Sequence, residues 1–179
     1  MNILLIIILS ILVLLIIFFA FYGGFKKIKC KIVEEGEETL VYKEMIGDYA
    51  KSGKLSDEVY NTLLNEYKIE TYKGFGIYYD NPKQVEKSKL RSEIGCIIEE
   101  KDLSKITHLK GELKTKVYPK RSYILSEFPF KGKSSIFIGL MKVYPAMEKF
   151  IIKNALNKEG AAMEIYDVPN KMIRYRKEI

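Results

Sequence analysis

The segment Met163-Glu164-Ile165-Tyr166 sets one carboxylate between two apolar residues, with a tyrosine two positions on. In a strand, alternate side chains share a face, so Glu164 and Tyr166 point one way while Met163 and Ile165 point the other. A carboxylate walled by aromatic rings suits a cationic organic ligand. Ring faces attract cations by about 0.5 to 2 kcal/mol, and a partly desolvated carboxylate adds a charge-assisted contact. The same carboxylate serves equally well as a fold-maintaining group bonded to a neighbouring hydroxyl or amide. The segment also has an echo: Gly76 to Pro82 read GIYYDNP, and Met163 to Asn170 read MEIYDVPN. Matching Asp80 to Asp167, an offset of about 87 residues, pairs Tyr79 with Tyr166 and Ile77 with Glu164. These four residues, Glu164, Tyr166, Tyr79 and Ile77, are therefore expected to line one groove, with Met163 and Ile165 packed under a helix.

Other chemistry is thin. His108 is the only histidine and falls in a polar connector without the partners that a general base or a metal ligand needs. The glycine-containing stretches KGFG and FKGKSS lack the spacing of a phosphate loop. The adjacent acids Glu34-Glu35 and Glu99-Glu100 read as solvated strand or loop ends. Cys30 and Cys96 are the only cysteines and are expected as free thiols without a role. No catalytic set, metal site or cofactor is expected, which argues against an enzyme.

Charge and hydropathy place the chain. Ile3 to Tyr22 form an apolar run broken only by Ser10, and about 20 residues at about 1.5 Å each cover the roughly 30 Å of a bilayer core. No basic residue precedes the run, and it ends in FFAFYGG rather than a small-residue cleavage pattern, so residues 1–25 are expected as an uncleaved anchor. Lys26, Lys27, Lys29 and Lys31 follow it directly. Positive flanks stay on the cytosolic side, and such lysines attract anionic lipid by about 1 kcal/mol each. The rest of the net charge of +7 is dispersed among glutamates, which argues against a nucleic-acid surface.

Residues 26–179 alternate between period two and helical period in an order that repeats. Strands at Lys29 to Glu35 and Glu38 to Ile46, joined by the tight turn EGE, precede a loop from Asp48 to Lys54 and a helix capped by Ser56. GFGIYYD and KLRSEIGCII follow as strands. After a connector at about 100–111, the second unit reads LKTKVYP, SYILSEFPF, a helix from Ser134 or Ser135, then AAMEIYDV and KMIRYRK. That helix sets Phe137, Leu140, Met141, Tyr144 and Ile151 near one face, and Pro145 is expected to kink or break it. The expected fold is α+β: a transmembrane helix, then a duplicated ββαββ unit (about 27–99 and 112–179) with an antiparallel sheet and both helices on one of its faces.

These segments in their order, LVYKEMIGDYAKSGKL, YYDNPKQV with RSEIGCII, VYPKRSYILSEFPF, VYPAMEKFI and MEIY, resemble the GyrI-like small-molecule-binding domain of bacterial drug-sensing regulators and gyrase-inhibitory proteins. With the apolar anchor, they are similar to a membrane-bound branch of that family that includes endoplasmic-reticulum autophagy receptors. The resemblance implies a cytosolic domain tethered to the endoplasmic reticulum, with protein partners and a role in autophagic turnover of that membrane. It also implies that Glu164 is the acidic group that meets cationic aromatic ligands. In those receptors the autophagy-protein contact lies in a long acidic tail, and this sequence stops at Ile179. Matches to an aromatic with Leu or Ile three positions on fall at Phe25–Ile28, Tyr60–Leu63 and Phe137–Leu140, none of them expected as the accessible extended segment that strand addition needs. The expected function is a non-enzymatic, membrane-anchored adaptor or receptor of the endoplasmic reticulum. The alternative is a membrane-tethered domain for a small apolar or cationic ligand, or a degenerate hydrolase.

Overall fold

The structure, a computed structural model, describes residues 3–109 and 111–179. Helix α1 (Ile3–Phe21) is apolar throughout apart from Ser10, whose hydroxyl donates back to the Ile6 carbonyl at 2.9 Å. It is long and apolar enough to cross a membrane, and none of its residues is buried against the rest of the chain. The following elements are β1 (Cys30–Glu35), β2 (Thr39–Ile46), α2 (Ser52–Tyr67), β3 (Lys73–Tyr78), β4 (Arg91–Ile98), β5 (Lys114–Val117), β6 (Arg121–Pro129), α3 (Lys133–Lys153), β7 (Ala162–Asp167) and β8 (Met172–Glu178). This is the α+β order expected, ββαββ written twice.

The eight strands form one antiparallel sheet in the order β1-β6-β8-β7-β3-β4-β2-β5. A pseudo-two-fold axis therefore passes between β3 and β7. The EGE turn does not close a hairpin, contrary to the sequence reading: β1 pairs with β6 of the second unit, and β5 pairs with β2 of the first. The reason lies in the crossovers, which bond to each other. The Glu37 amide donates to the Tyr118 carbonyl at 2.7 Å, and the Tyr118 amide to the Glu38 carbonyl at 2.8 Å. Gly36, at φ 138°, lies so close to the Pro119 carbonyl that a Cβ would come within 2.3 Å of it. Only glycine fits that crossing.

Both helices cover the same sheet face. Val59 and Leu63 of α2 pack on Val41, Cys96 and Ile98, while Ile138, Val143, Met147 and Ile151 of α3 pack on Ile124, Phe128 and Ile173. The opposite face holds a separate cluster that includes Leu40, Phe75, Ile77, Tyr123, Met163 and Ile165. Met163 and Ile165 thus do not lie under a helix, a correction to the sequence reading. Two helix assignments also change. Helix α2 starts a turn earlier than Ser56, after a 3-10 turn that Asp48 caps by accepting from the Ala50 amide at 3.0 Å. Helix α3 runs unbroken through Pro145, because that residue sits on its exposed side, where the i−4 carbonyl left without an amide donor is not trapped in the core. Phe137 and Met141 are on that exposed side too, and not on the buried face with Ile151.

Candidate functional site

Glu164 lies in β7 beside the central axis, opposite Gly76 of β3 and Tyr175 of β8 in register. It faces the helices and is only 3% exposed. Both carboxylate oxygens accept tyrosine hydroxyls: Oε1 from Tyr144 of α3 at 2.7 Å and Oε2 from Tyr166 at 2.5 Å. Tyr78 folds back over Gly76, where a Cβ would come within 2.6 Å of its hydroxyl, and that hydroxyl donates to Ser52 Oγ of α2 at 3.3 Å. The Tyr175 hydroxyl is buried without a hydrogen-bond partner among the described residues, beneath Gly139 of α3. Its ring meets that of Tyr144 edge-on at 5.9 Å. One carboxylate is thus caged by tyrosines from both units of the fold, and the glycine facing it across the axis leaves room for their rings.

The family of GyrI-like small molecule binding domains matches residues 28–172. The chain belongs to this family. Among curated proteins it is similar to the testis-expressed protein 264 homolog of Mus musculus and to testis-expressed protein 264 of Homo sapiens, each 28% identical over 124 residues. That stretch is 66% of this chain and 38% of each relative, so the chain spans well under half the length of these proteins. Among solved structures, the C-terminal domain of EcmrR aligns at a TM-score of 0.55 and 13% identity, covering 84% of this chain and 95% of that one. The EcmrR chain in an EcmrR–DNA complex aligns at 0.61 and 13% identity over 90% of this chain and 62% of that one. An integron cassette protein from Vibrio cholerae aligns at 0.51 and 11% identity, covering 85% of this chain and 95% of that one. These likenesses carry the fold.

Electrostatics in this GyrI-like domain are set by burial. Among the described residues no lysine or arginine forms an ion pair with Glu164. Burial pushes its carboxyl above the ordinary value, against the pull of the Tyr166 and Tyr144 hydrogen bonds. Tyr78, Tyr144, Tyr166 and Tyr175 are all pushed up, first by burial and next by the Glu164 charge, so they stay neutral. A buried carboxylate without a counter-ion is costly, and it can be relieved by a proton, by hydroxyl donors or by an incoming cation.

The structure brings Glu164 and Tyr166 together but places Ile77 and Tyr79 on the other face. Ile77 is paired with Met163 and buried in the opposite cluster. Tyr79 is half-exposed there, 3.3 Å from Lys116 Nζ, near the ion pair of Lys116 with Glu93. The offset drawn from the echo is one residue short, and a slip of one flips every side chain to the other face. Laying Gly76-Ile77-Tyr78 over Glu164-Ile165-Tyr166 restores the match, since Ile77 and Ile165 share one face and Tyr78 and Tyr166 the other. Tyr78, Tyr144 and Tyr175 were not singled out for the site, although the repeated Ile-Tyr pair marks Tyr78. Clefts of about 400 Å³ beside Glu38, Tyr72 and Leu103, and of about 250 Å³ beside Ile46, Tyr79 and Glu93, lie elsewhere, and Glu164 lines neither.

Proposed function

We propose that this chain is a non-enzymatic, membrane-anchored GyrI-like domain on the cytosolic side of the endoplasmic reticulum, and that its tyrosine-caged Glu164 receives a small lipophilic cation. The observation that carries the ligand is a buried carboxylate with tyrosine donors and, among the described residues, no cation paired to it. An aromatic cation would supply the missing charge, with the rings of Tyr78, Tyr144 and Tyr166 as walls. Entry requires Tyr144, and with it part of α3, to move aside, because the hydroxyls of Tyr144 and Tyr166 now fill the carboxylate's acceptor sites. The anchor rests on α1 and on Lys26, Lys27, Lys29 and Lys31 after it, and the choice of membrane on the likeness to testis-expressed protein 264. Nucleic acid has no part in this reading.

The test is calorimetric titration of the full chain in lipid nanodiscs with a rhodamine dye cation. Wild type is expected to bind saturably above the background of empty nanodiscs, and Glu164→Gln to lose that binding without losing thermal stability. A wild-type chain that binds no dye, with a variant that melts earlier, retires the ligand. A second reading then stands: an adaptor or receptor of the endoplasmic reticulum that uses its surface to dock proteins. It is favoured by the relation to testis-expressed protein 264 and by the fact that both Glu164 oxygens are already satisfied internally.

A further inference from the structure

The lower end of α1 is bonded to the start of α3. Lys131 Nζ donates to the Phe21 carbonyl at 2.9 Å and lies 4.3 Å from the centre of the Phe21 ring. Lys142 Nζ donates to the Gly24 carbonyl, Gly23 lies against the Phe128 ring, and Tyr22 packs against the cluster under α3. The domain therefore does not hang on a loose tether. Phe21 is the last residue of the helix that spans the bilayer in the reading above, so Lys131 and Lys142 are held at the bilayer surface. The first turns of α3 run between those two lysines.

What that stretch shows to solvent is unusual for a water-facing helix. Phe137 is 64% exposed and Met141 63%, four residues apart and so on one side of the helix. The side turned to the sheet is separate, formed by Ser135, Ile138, Gly139 and Val143. Exposed Pro145 extends the outward apolar side by one turn, after which exposed Glu148 ends it. Every charged residue from 131 to 142 is a lysine: Lys131, Lys133 and Lys142. A helix with an apolar outer side rimmed by lysines matches the boundary between anionic headgroups and acyl chains.

We propose that the outer face of α3, Phe137 and Met141 with Lys131, Lys133 and Lys142, docks on the same anionic bilayer that holds α1. The proposal rests on the anchor reading and adds a second membrane contact that fixes the domain's orientation. It also links the bilayer to the Glu164 site, because α3 carries Tyr144.

The experiment uses the full wild-type chain in phosphatidylcholine vesicles containing phosphatidylserine with a diazirine near the top of its acyl chain. After irradiation, lipid adducts are mapped by mass spectrometry. Adducts are expected on α1 and on residues 133–142, and none at Ile46 or Val117, exposed residues on the far half of the sheet. The exposed double variant Phe137→Glu, Met141→Glu is expected to lose the α3 adducts and keep those on α1. Adducts confined to α1 overturn the docking and leave the anchor standing. A chain without adducts on either helix overturns both. Residues 133–142 protected from deuterium exchange in the vesicles yet free of lipid adducts would be covered by protein, which also overturns the proposal.

Discussion

A carboxylate such as Glu164, buried under α3 with two hydroxyl donors and, among the described residues, no paired cation, must leave a mark on stability. Its pKa is raised by burial above the ordinary 4.5, so on raising pH the unfolded chain gives up this proton before the folded one does. The contribution is fully present below about pH 4.5 and is lost as pH rises through the folded pKa. Glu164→Gln removes that loss and keeps a polar group for Tyr144 and Tyr166. The melting temperature of the variant minus that of wild type is therefore expected to stay flat below about pH 4.5 and to rise above it until the folded carboxyl has given up its proton. A difference independent of pH across that range would show that the folded carboxyl titrates like an unfolded one. At this scale the sequence was legible in part. Strand alternation placed Glu164 and Tyr166 together, because period two is fixed by geometry. Tyr79 and Ile77 went astray because one extra residue, Tyr79, separates the shared Ile-Tyr pair from the aspartate in the first unit, so matching Asp80 to Asp167 slips the strand by one.

Helix α3 was legible as an element and not as a face. Its periodicity supports two apolar sides, Ile138, Val143, Met147 and Ile151 on one and Phe137, Met141 and Ile152 on the other. Contact with the sheet chooses between them, and Gly139 helps to decide: a Cβ there would come within 2.4 Å of the Tyr175 hydroxyl and 3.1 Å of the Phe128 ring, so only a glycine lets this side of the helix settle on those two side chains. Pro145 is tolerated for a related reason, since it lies on the outer side. It still forfeits a backbone donor in mid-helix, and proline is about 3 kcal/mol less favourable than alanine in a helix interior. Pro145→Ala is expected to stabilise the domain, by up to about 3 kcal/mol in a denaturant titration. A loss of stability would mean that the proline sets a bend which the packing on Phe128 and Tyr175 needs. The β1–β2 turn was misread for a different cause. Its glycine and flanking glutamates look like a hairpin, yet the groups it bonds to lie in the β5–β6 crossover, far along the chain.

On the scale of the whole molecule, the duplication is closed by an exchange of strands. β1 leaves the first unit to pair with β6 from Cys30–Ser126 to Glu35–Arg121, and β5 returns to pair with β2 from Thr39–Val117 to Tyr42–Lys114. Buried Arg176 of β8 ties the crossing strand down, with Nη2 2.6 Å from Glu38 Oε1 and 2.8 Å from Glu35 Oε2. The duplication was legible because its echo is short and repeated in order, whereas the exchange leaves no trace in periodicity. It has a consequence for folding. Either unit alone would lose an edge strand to pair with, and would expose the β3 or β7 edge that now lies at the axis, with Phe75 and Ile77 or Met163 and Ile165 beside it. Such unpaired apolar edges drive association and misfolding. The described residues of the connector between β4 and β5, by contrast, contribute no strand to the sheet, and an added side chain at Gly111 would meet nothing within 4 Å. A protease site inserted at Gly111 is therefore expected to be cut without loss of structure, the nicked chain melting in one cooperative transition at nearly the intact temperature. Residues 26–109 and 111–179 expressed separately are expected to show no cooperative melt, and to recover one only when co-expressed. A single unit that melts cooperatively by itself would show that its two-strand partner exchange is incidental, and that each ββαββ unit carries its own complete core.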